Sequence, residues 1–161
     1  MNTPTQLDRF GQQNISLIGD PDQPKVQLLG VRGIPGNSIN HPSSFFIPNH
    51  GKRTFVDEVD MVSGVGHNPA RWRAGMNSSL MQLRRCVTNL AVLDWGGPDH
   101  QMRVVSLHPG VTFNEVQDAT SFPLAQVDAL HETPGPDAES LRILREVLDV
   151  NNLRAAVFPE K

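Results

Sequence analysis

Short apolar runs separated by turn residues extend along most of the chain and predict β-strands. In the first half of the chain these runs cover residues 15–18, 25–29, 45–47 and 54–62. In the second half, residues 85–95 carry the strongest strand pattern, and residues 102–107 follow across the turn sequence GGPD. We expect these two later strands to pair as an antiparallel hairpin across that turn.

A short helix is predicted directly after the strand at residues 102–107. Thr112 and Glu115 have the spacing of a capping box, in which each residue satisfies a free backbone N–H group of the other. Val111 and Val116 are placed as a hydrophobic staple across the same turn. We expect this helix to stop near residues 119–121.

A last helix is predicted over residues 138–148, with Asp137 as its N-cap. Four of its residues form one apolar stripe at helical spacing: Leu141, Leu144, Val147 and Leu148. We expect this stripe to pack into the core. Together with the strands, the helices indicate a single α/β domain over residues 1–161.

Composition narrows the classes of function. The formal net charge is −3 and the basic residues are scattered, which argues against a nucleic-acid partner. No apolar run approaches the ~20 residues of a membrane span, and the polar start of the chain lacks the apolar core of a signal peptide. We therefore expect a cytoplasmic protein that does not enter membranes. The single cysteine, Cys86, excludes an internal disulfide and is expected to be a small buried apolar residue.

The sequence LLGVRGIPGNSINH at residues 28–41 is the strongest candidate for chemistry. Gly30, Gly33 and Gly36 allow sharp turns in which backbone N–H groups point at a ligand, and Arg32 adds a planar cation. This pattern predicts a loop at the end of a strand that holds an anion or a developing oxyanion. The alternative is an ordinary connection with several tight turns.

Other polar groups give weaker signals. Asp57, Glu58 and Asp60 are expected either on a solvated strand face or with one carboxylate lining a site, or paired with Arg53 or Lys52.

The sequence His108-Pro109-Gly110 ends a strand, where ligand sites of α/β folds gather, and the alternative is a turn with a capped polar side chain. The six histidines show no metal-binding spacing, and no GxSxG sequence is present, so we expect no metal site and no serine triad.

Several segments taken together resemble the β subunits of the family I CoA-transferases. Residues 7–16 resemble the family's D-x-x-G-N-x-N motif, with Gln12 in place of the first asparagine, and residues 30–37 occupy the place of its glycine-rich oxyanion loop. The other matching segments are residues 50–66, 85–95 and 102–122. The resemblance implies an open mixed β-sheet with flanking short helices, of the NagB/RpiA-like type.

Within that family, the chain is most similar to the branch that hydrolytically opens the rings of steroid-derived CoA esters. Residues 31–46 and 96–110 carry this likeness. Ordinary transferases have GGSGGAxD-like loops, whereas this chain places Arg32 and Pro35 in the corresponding loop. The departure favours hydrolysis over CoA transfer.

The resemblance implies a β subunit of an enzyme that opens a steroid-derived cyclic β-keto acyl-CoA. Its partner would be an α subunit that carries the catalytic glutamate, in a heterotetramer of two α and two β subunits. The only cofactor-like group would be the CoA of the substrate. The chain begins just after the N-terminal portion of the family, which carries the transferase glutamate, so we expect a truncated or divided subunit that does not act alone. The alternatives are a CoA-transferase β subunit acting between carboxylic acids and a non-catalytic assembly subunit.

The implied site residues lie mainly in the glycine-rich loop. The catalytic candidates are Arg32, Gly33 and Asn37. The substrate-binding candidates are Gly30, Gly36, Asn40, His41 and His108.

Overall fold

A five-stranded mixed sheet forms the centre of the computed structural model, which describes residues 1–157. Its strands, in spatial order, are β5 (Pro42–Ile47), β6 (Gln82–Thr88), β7 (Ala91–Asp94), β8 (Arg103–Leu107) and β9 (Ala125–Glu132). The outer pairs β5–β6 and β8–β9 are parallel, and the inner pairs β6–β7 and β7–β8 are antiparallel. The predicted open mixed sheet is confirmed, and so is the hairpin across GGPD.

Two small antiparallel pairs precede this sheet, and short helices flank it. The pairs are β1 (Gln6–Leu7) with β2 (Gln13–Asn14), and β3 (Leu17–Asp20) with β4 (Gln23–Gln27). The helices are α1 (Ile34–Asn40), α2 (Phe113–Asp118), α3 (Ala138–Arg142) and α4 (Arg154–Val157). None of the helices within residues 1–157 is long and apolar enough to cross a membrane.

The run at residues 85–95 is two strands, β6 and β7, and not the single strand predicted. The hydroxyl of Thr88 accepts hydrogen bonds from the backbone N–H groups of Leu90 and Ala91, both at 3.0 Å. A side chain that satisfies the backbone in this way offers an alternative to the strand ladder. The chain therefore turns between residues 88 and 91, and β7 folds back on β6.

The predicted strand at residues 54–62 is wrong. Only Phe55 makes an isolated bridge there, to Leu7 of β1. Phe55 is fully buried and Val59 is 5% exposed, so the apolar positions are separate anchors of a loop and not one face of a strand. Strand β9 had no counterpart in the prediction.

The predicted capping box of α2 is confirmed. The Thr112 backbone N–H donates to a Glu115 carboxylate oxygen at 2.7 Å, and the Glu115 N–H donates to the Thr112 hydroxyl at 3.3 Å. Val116 is fully buried against the core, and the partly buried Val111 packs against that same core. The helix ends at Asp118, close to the predicted stop.

The last predicted helix begins as expected but does not pack as expected. Asp137 caps α3, since its carboxylate accepts the Ser140 N–H at 2.7 Å. After Arg142 the segment continues as a π-helical turn, Ile143–Leu148, whose apolar side chains face outward. Leu148 is 71% exposed and Leu144 is 49% exposed, so the prediction of a core stripe is wrong. Helical periodicity identifies an apolar face, but the tertiary fold decides whether anything covers it.

The core lies between the sheet and the segments that pack on it. Phe45 of β5 contacts Trp95 edge to face, with ring centroids 5.4 Å apart. Cys86 is fully buried in β6, as predicted. The interpretation of residues 1–161 as one domain stays a prediction, and residues 158–161 lie outside the described part of the chain.

Candidate functional site

The glycine-rich segment forms a tight turn that leads into α1. Gly30 has φ +84° and Arg32 has φ +49°, and Gly33 precedes the first helical residue. β4 ends at Gln27, so the turn lies three residues beyond a strand end. A non-glycine residue with a left-handed backbone is uncommon and often marks a functional segment.

Arg32 lies on an open cavity of about 420 Å³. Within residues 1–157 its side chain makes no hydrogen bond and no ion pair. The other lining residues are Thr3, Thr5, Ile15, Gln27, Leu28 and Leu29. Leu29 is 81% exposed, so part of the apolar wall faces solvent. An uncompensated guanidinium beside an apolar groove can bind an anionic group attached to a hydrocarbon body.

Helix α1 is held in place by Gln13, Ser38 and Gly64, which sequence reasoning missed. The Ser38 hydroxyl accepts the Val65 N–H at 3.2 Å and donates to the Pro35 carbonyl at 3.0 Å. A Cβ on Gly64 would lie 2.6 Å from Ile34 Cγ2 and 2.7 Å from Gln13 Nε2, so any side chain there would force these neighbours to shift. No local pattern in the sequence signals this contact, because the residues involved lie up to 51 positions apart (64 − 13 = 51).

The other predicted residues of the segment lie in α1 or directly after it. The Asn40 side chain donates to the Gly36 carbonyl at 3.0 Å, so one of its donors is used within the helix. The His41 N–H donates to the Asn37 carbonyl at 3.1 Å and closes the last turn. Gly36 lies inside α1 and not in an open loop. The functional roles of these residues stay predictions.

His108 lies in a different part of the fold. Its Nε2 donates to the Thr88 carbonyl at 2.8 Å, which leaves Nδ1 to accept from the Thr133 hydroxyl at 3.1 Å. These bonds connect the end of β8 to the end of β6 and to the segment after β9. Because β6 and β7 separate β8 from β5 in the sheet, the structure does not bring His108 to the cavity of Arg32. Its substrate-binding role stays a prediction.

Two of the predicted carboxylates, Asp57 and Asp60, connect separate loops. Asp57 pairs with Arg9 at 2.6 Å, and not with Arg53 or Lys52. Asp60 accepts hydrogen bonds from Gln6 Nε2 at 3.0 Å and from the Gly19 N–H at 2.8 Å. In the described part of the chain, no group of three or more histidine, cysteine, aspartate or glutamate residues is placed to hold a metal ion.

The fold is that of the CoA-transferase subunits. The crystal structure of glutaconate CoA-transferase from Acidaminococcus fermentans superimposes with a TM-score of 0.84 over 99% of this chain and 60% of that chain, at 24% identity. No protein-family model matches the sequence. The chain therefore has the fold of CoA-transferase subunits and is similar in sequence to B subunits of such enzymes.

A second group of relatives matches more strongly. The chain is 48% identical over 155 residues to the cholesterol ring-cleaving hydrolase IpdB subunit of Mycobacterium tuberculosis, covering 92% of this chain and 59% of the relative. The crystal structure of IpdAB from Rhodococcus jostii superimposes with a TM-score of 0.88 at 46% identity, covering 96% of this chain and 62% of that one. The chain thus spans about 60% of the length of these relatives.

Proposed function

We propose that this chain forms the β-subunit side of the active site in an enzyme that hydrolytically opens a steroid-derived cyclic β-keto acyl-CoA. The observation that carries the proposal is the unpaired Arg32 guanidinium at the edge of an apolar groove. The likeness to proteins named cholesterol ring-cleaving hydrolase subunits supports the choice of substrate. The fused rings of a steroid are apolar and match the apolar wall of the groove. The breakdown products of steroids carry carboxylates, which match the Arg32 guanidinium.

In the proposed reaction, a base on the α subunit removes a proton from water, and the resulting hydroxide adds to the ring ketone. The carbon–carbon bond to the α-carbon of the thioester then breaks, and its electron pair forms a thioester enolate. Protonation of the enolate carbon yields an open-chain carboxylic acid that still carries CoA. The net change is the addition of one water molecule.

Two species in this sequence carry negative charge on oxygen: the tetrahedral adduct and the enolate. Hydrogen-bond donors already fixed in position stabilise such charge, and losing one donor costs about 3 kcal/mol of barrier. Arg32 and the backbone N–H groups of Gly33 and Gly36 are the proposed donors, with Asn37 beside them. If the ring ketone lies nearer the partner subunit, Arg32 binds a substrate carboxylate and does not stabilise the negative oxygen.

The rest of the assembly belongs to the same proposal. The partner is an α subunit with the catalytic glutamate, in a heterotetramer of two α and two β subunits. Gly30, Asn40 and His41 would line the path of the substrate. No cofactor is required beyond the CoA of the substrate, and the cytoplasmic location stays a prediction.

The test is co-expression with the α subunit, followed by size-exclusion chromatography and an assay with a steroid-derived cyclic β-keto CoA ester. We expect co-elution and ring opening without transfer of CoA to acetate. Arg32→Ala should lower turnover by about 100-fold, the equivalent of one lost donor, and leave co-elution unchanged.

Arg73→Ala is the matched control, because Arg73 is also exposed and its side chain has no partner within the described residues. Transfer to acetate would identify a CoA-transferase instead. A stable complex without either activity would contradict the proposal and favour an assembly subunit.

A further inference from the structure

A second cluster of basic side chains lies outside the segment of Arg32. The rings of His67 and His100 stack with centroids 4.9 Å apart and an angle of 22° between their planes. They come from separate loops, one before the 3₁₀ turn Pro69–Arg71 and one at the end of the 3₁₀ turn Pro98–His100. Both rings line two open cavities, of about 590 and 490 Å³.

The backbone under His100 is strained. Asp99 and His100 are consecutive non-glycine residues with φ +51° and +56°. Strain of this kind persists where the surrounding structure imposes it. On the other side of the stack, the His67 N–H donates to the Phe10 carbonyl at 2.8 Å, which fixes that loop.

The larger cavity is lined mainly by hydrogen-bond donors. Arg84 and Arg85 of β6 line it, and neither ring of the histidine stack makes a hydrogen bond within the described residues. Trp95 also lines it, and its indole N–H is buried without a partner among those residues.

One carboxylate also lines this cavity, but its charge is already compensated. Asp94 accepts from Arg103 Nε at 2.8 Å and pairs with Arg85 at 3.2 Å. Arg84 has no acidic partner in the described part of the chain; its guanidinium donates to the Gln82 side chain at 3.3 Å. The cavity therefore carries net positive charge when the imidazoles are neutral.

We propose that His67, His100, Arg84 and Arg85 form a binding site for a diphosphate group. Guanidinium groups bind phosphate oxygens with two parallel hydrogen bonds, and each imidazole adds a further donor. The electrostatics agree with this assignment. Burial, and then the neighbouring His100, hold the pKa of His67 below its ordinary value, and an anion bound beside the ring would act in the opposite direction.

Two sources present such a group: the nucleotide end of a CoA ester and free diphosphate. Binding of diphosphate at this cluster does not depend on the ring-opening reaction. Only the choice of CoA as its source rests on the proposed function.

The test uses the whole chain alone and follows its imidazole signals by two-dimensional NMR during titration. The probes are sodium pyrophosphate, CoA and pantetheine, which lacks the nucleotide. We expect saturable shifts of His67 and His100 with pyrophosphate, while the exposed His131 stays constant. Arg84→Gln should weaken this binding by about tenfold, and Arg73→Gln should leave it unchanged.

The two sources are separated by the other probes. CoA binding more tightly than pyrophosphate, with pantetheine silent, assigns the site to the nucleotide end of CoA. Pyrophosphate binding without CoA binding assigns the site to free diphosphate. The ring-opening proposal is then tested only by the activity assay described above. The absence of saturable shifts up to about 10 mM pyrophosphate, or equal shifts at His131, would overturn the site.

Discussion

The imidazole of His50 stacks on the ring of Phe55, with centroids 3.9 Å apart and an angle of 16° between the rings. The Thr120 hydroxyl donates to the Val116 carbonyl at 2.8 Å and therefore accepts from His50 Nε2 at 2.9 Å. The Thr88 hydroxyl lies 3.2 Å from Nδ1, but it already accepts from two backbone N–H groups and donates to the Ala91 carbonyl, so it offers no lone pair to a protonated Nδ1. This arrangement needs a neutral imidazole with its proton on Nε2.

The first prediction concerns the pH dependence of folding. Burial lowers the pKa of His50 to about 4, while in the unfolded chain its pKa keeps the ordinary value of 6.5. Between these values the unfolded state binds more protons, so the free energy of unfolding falls as pH falls from 6.5 towards 4. We expect this histidine to contribute a loss of roughly 2 to 3 kcal/mol by about pH 4.5.

Urea unfolding followed by circular dichroism at about pH 7 and about pH 4.5 measures this loss. His50→Gln should be less stable at neutral pH but should lose less between the two pH values than the unsubstituted chain. His131→Gln is the control, because that ring is exposed, and it should keep the full loss. An unchanged pH dependence in His50→Gln would contradict the prediction.

The second prediction concerns Gly64, on which α1 rests. A methyl group there would overlap with Ile34 and Gln13, so Gly64→Ala should destabilise the chain by about 1 to 3 kcal/mol. Gly51→Ala is the matched control, since a Cβ at Gly51 meets nothing within 4 Å. Chemical denaturation of both variants measures the difference between their free energies of unfolding. Equal stability of the two would show that the start of α1 can move aside without cost.

Local features of the fold could be predicted from the sequence, and non-local ones could not. The capping box of Thr112 and Glu115 is encoded within four residues, and the GGPD hairpin within a single turn. The break after Thr88 depends on a side chain that satisfies the backbone, which an apolar pattern does not reveal. The loop around Phe55 depends on a bridge to Leu7, 48 positions away (55 − 7 = 48).

The same division holds for the candidate site. Arg32 and its glycines could be selected from the sequence because their residue types are informative by themselves. The apolar wall beside Arg32 could not be predicted from the sequence, because two of its residues, Ile15 and Leu29, come from separate segments. The stack of His67 on His100 likewise follows only from the packing of two loops.

The third prediction concerns the reactivity of Cys86. Its thiol is fully buried, and burial raises its pKa well above the ordinary value. Since the thiolate is the reactive form, the folded chain should not react with Ellman's reagent, and the denatured chain should react fully. Ser79→Cys supplies a positive control, because position 79 is exposed and should react at once. Rapid reaction of the unsubstituted folded chain would show that β6 opens readily.

The fourth prediction compares two leucines and tests whether the C-terminal apolar stripe belongs to the core. Leu93 is fully buried in β7, whereas Leu148 is 71% exposed. Truncating a buried leucine removes apolar contacts and leaves a cavity, so Leu93→Ala should cost about 2 to 5 kcal/mol. Leu148→Ala should change the free energy of unfolding of the isolated chain by no more than about 0.5 kcal/mol, as is usual for an exposed side chain. Urea titrations of the two variants make the comparison directly. A cost for Leu148→Ala that approaches that of Leu93→Ala would mean that the stripe packs on the chain after all, as its helical spacing predicts.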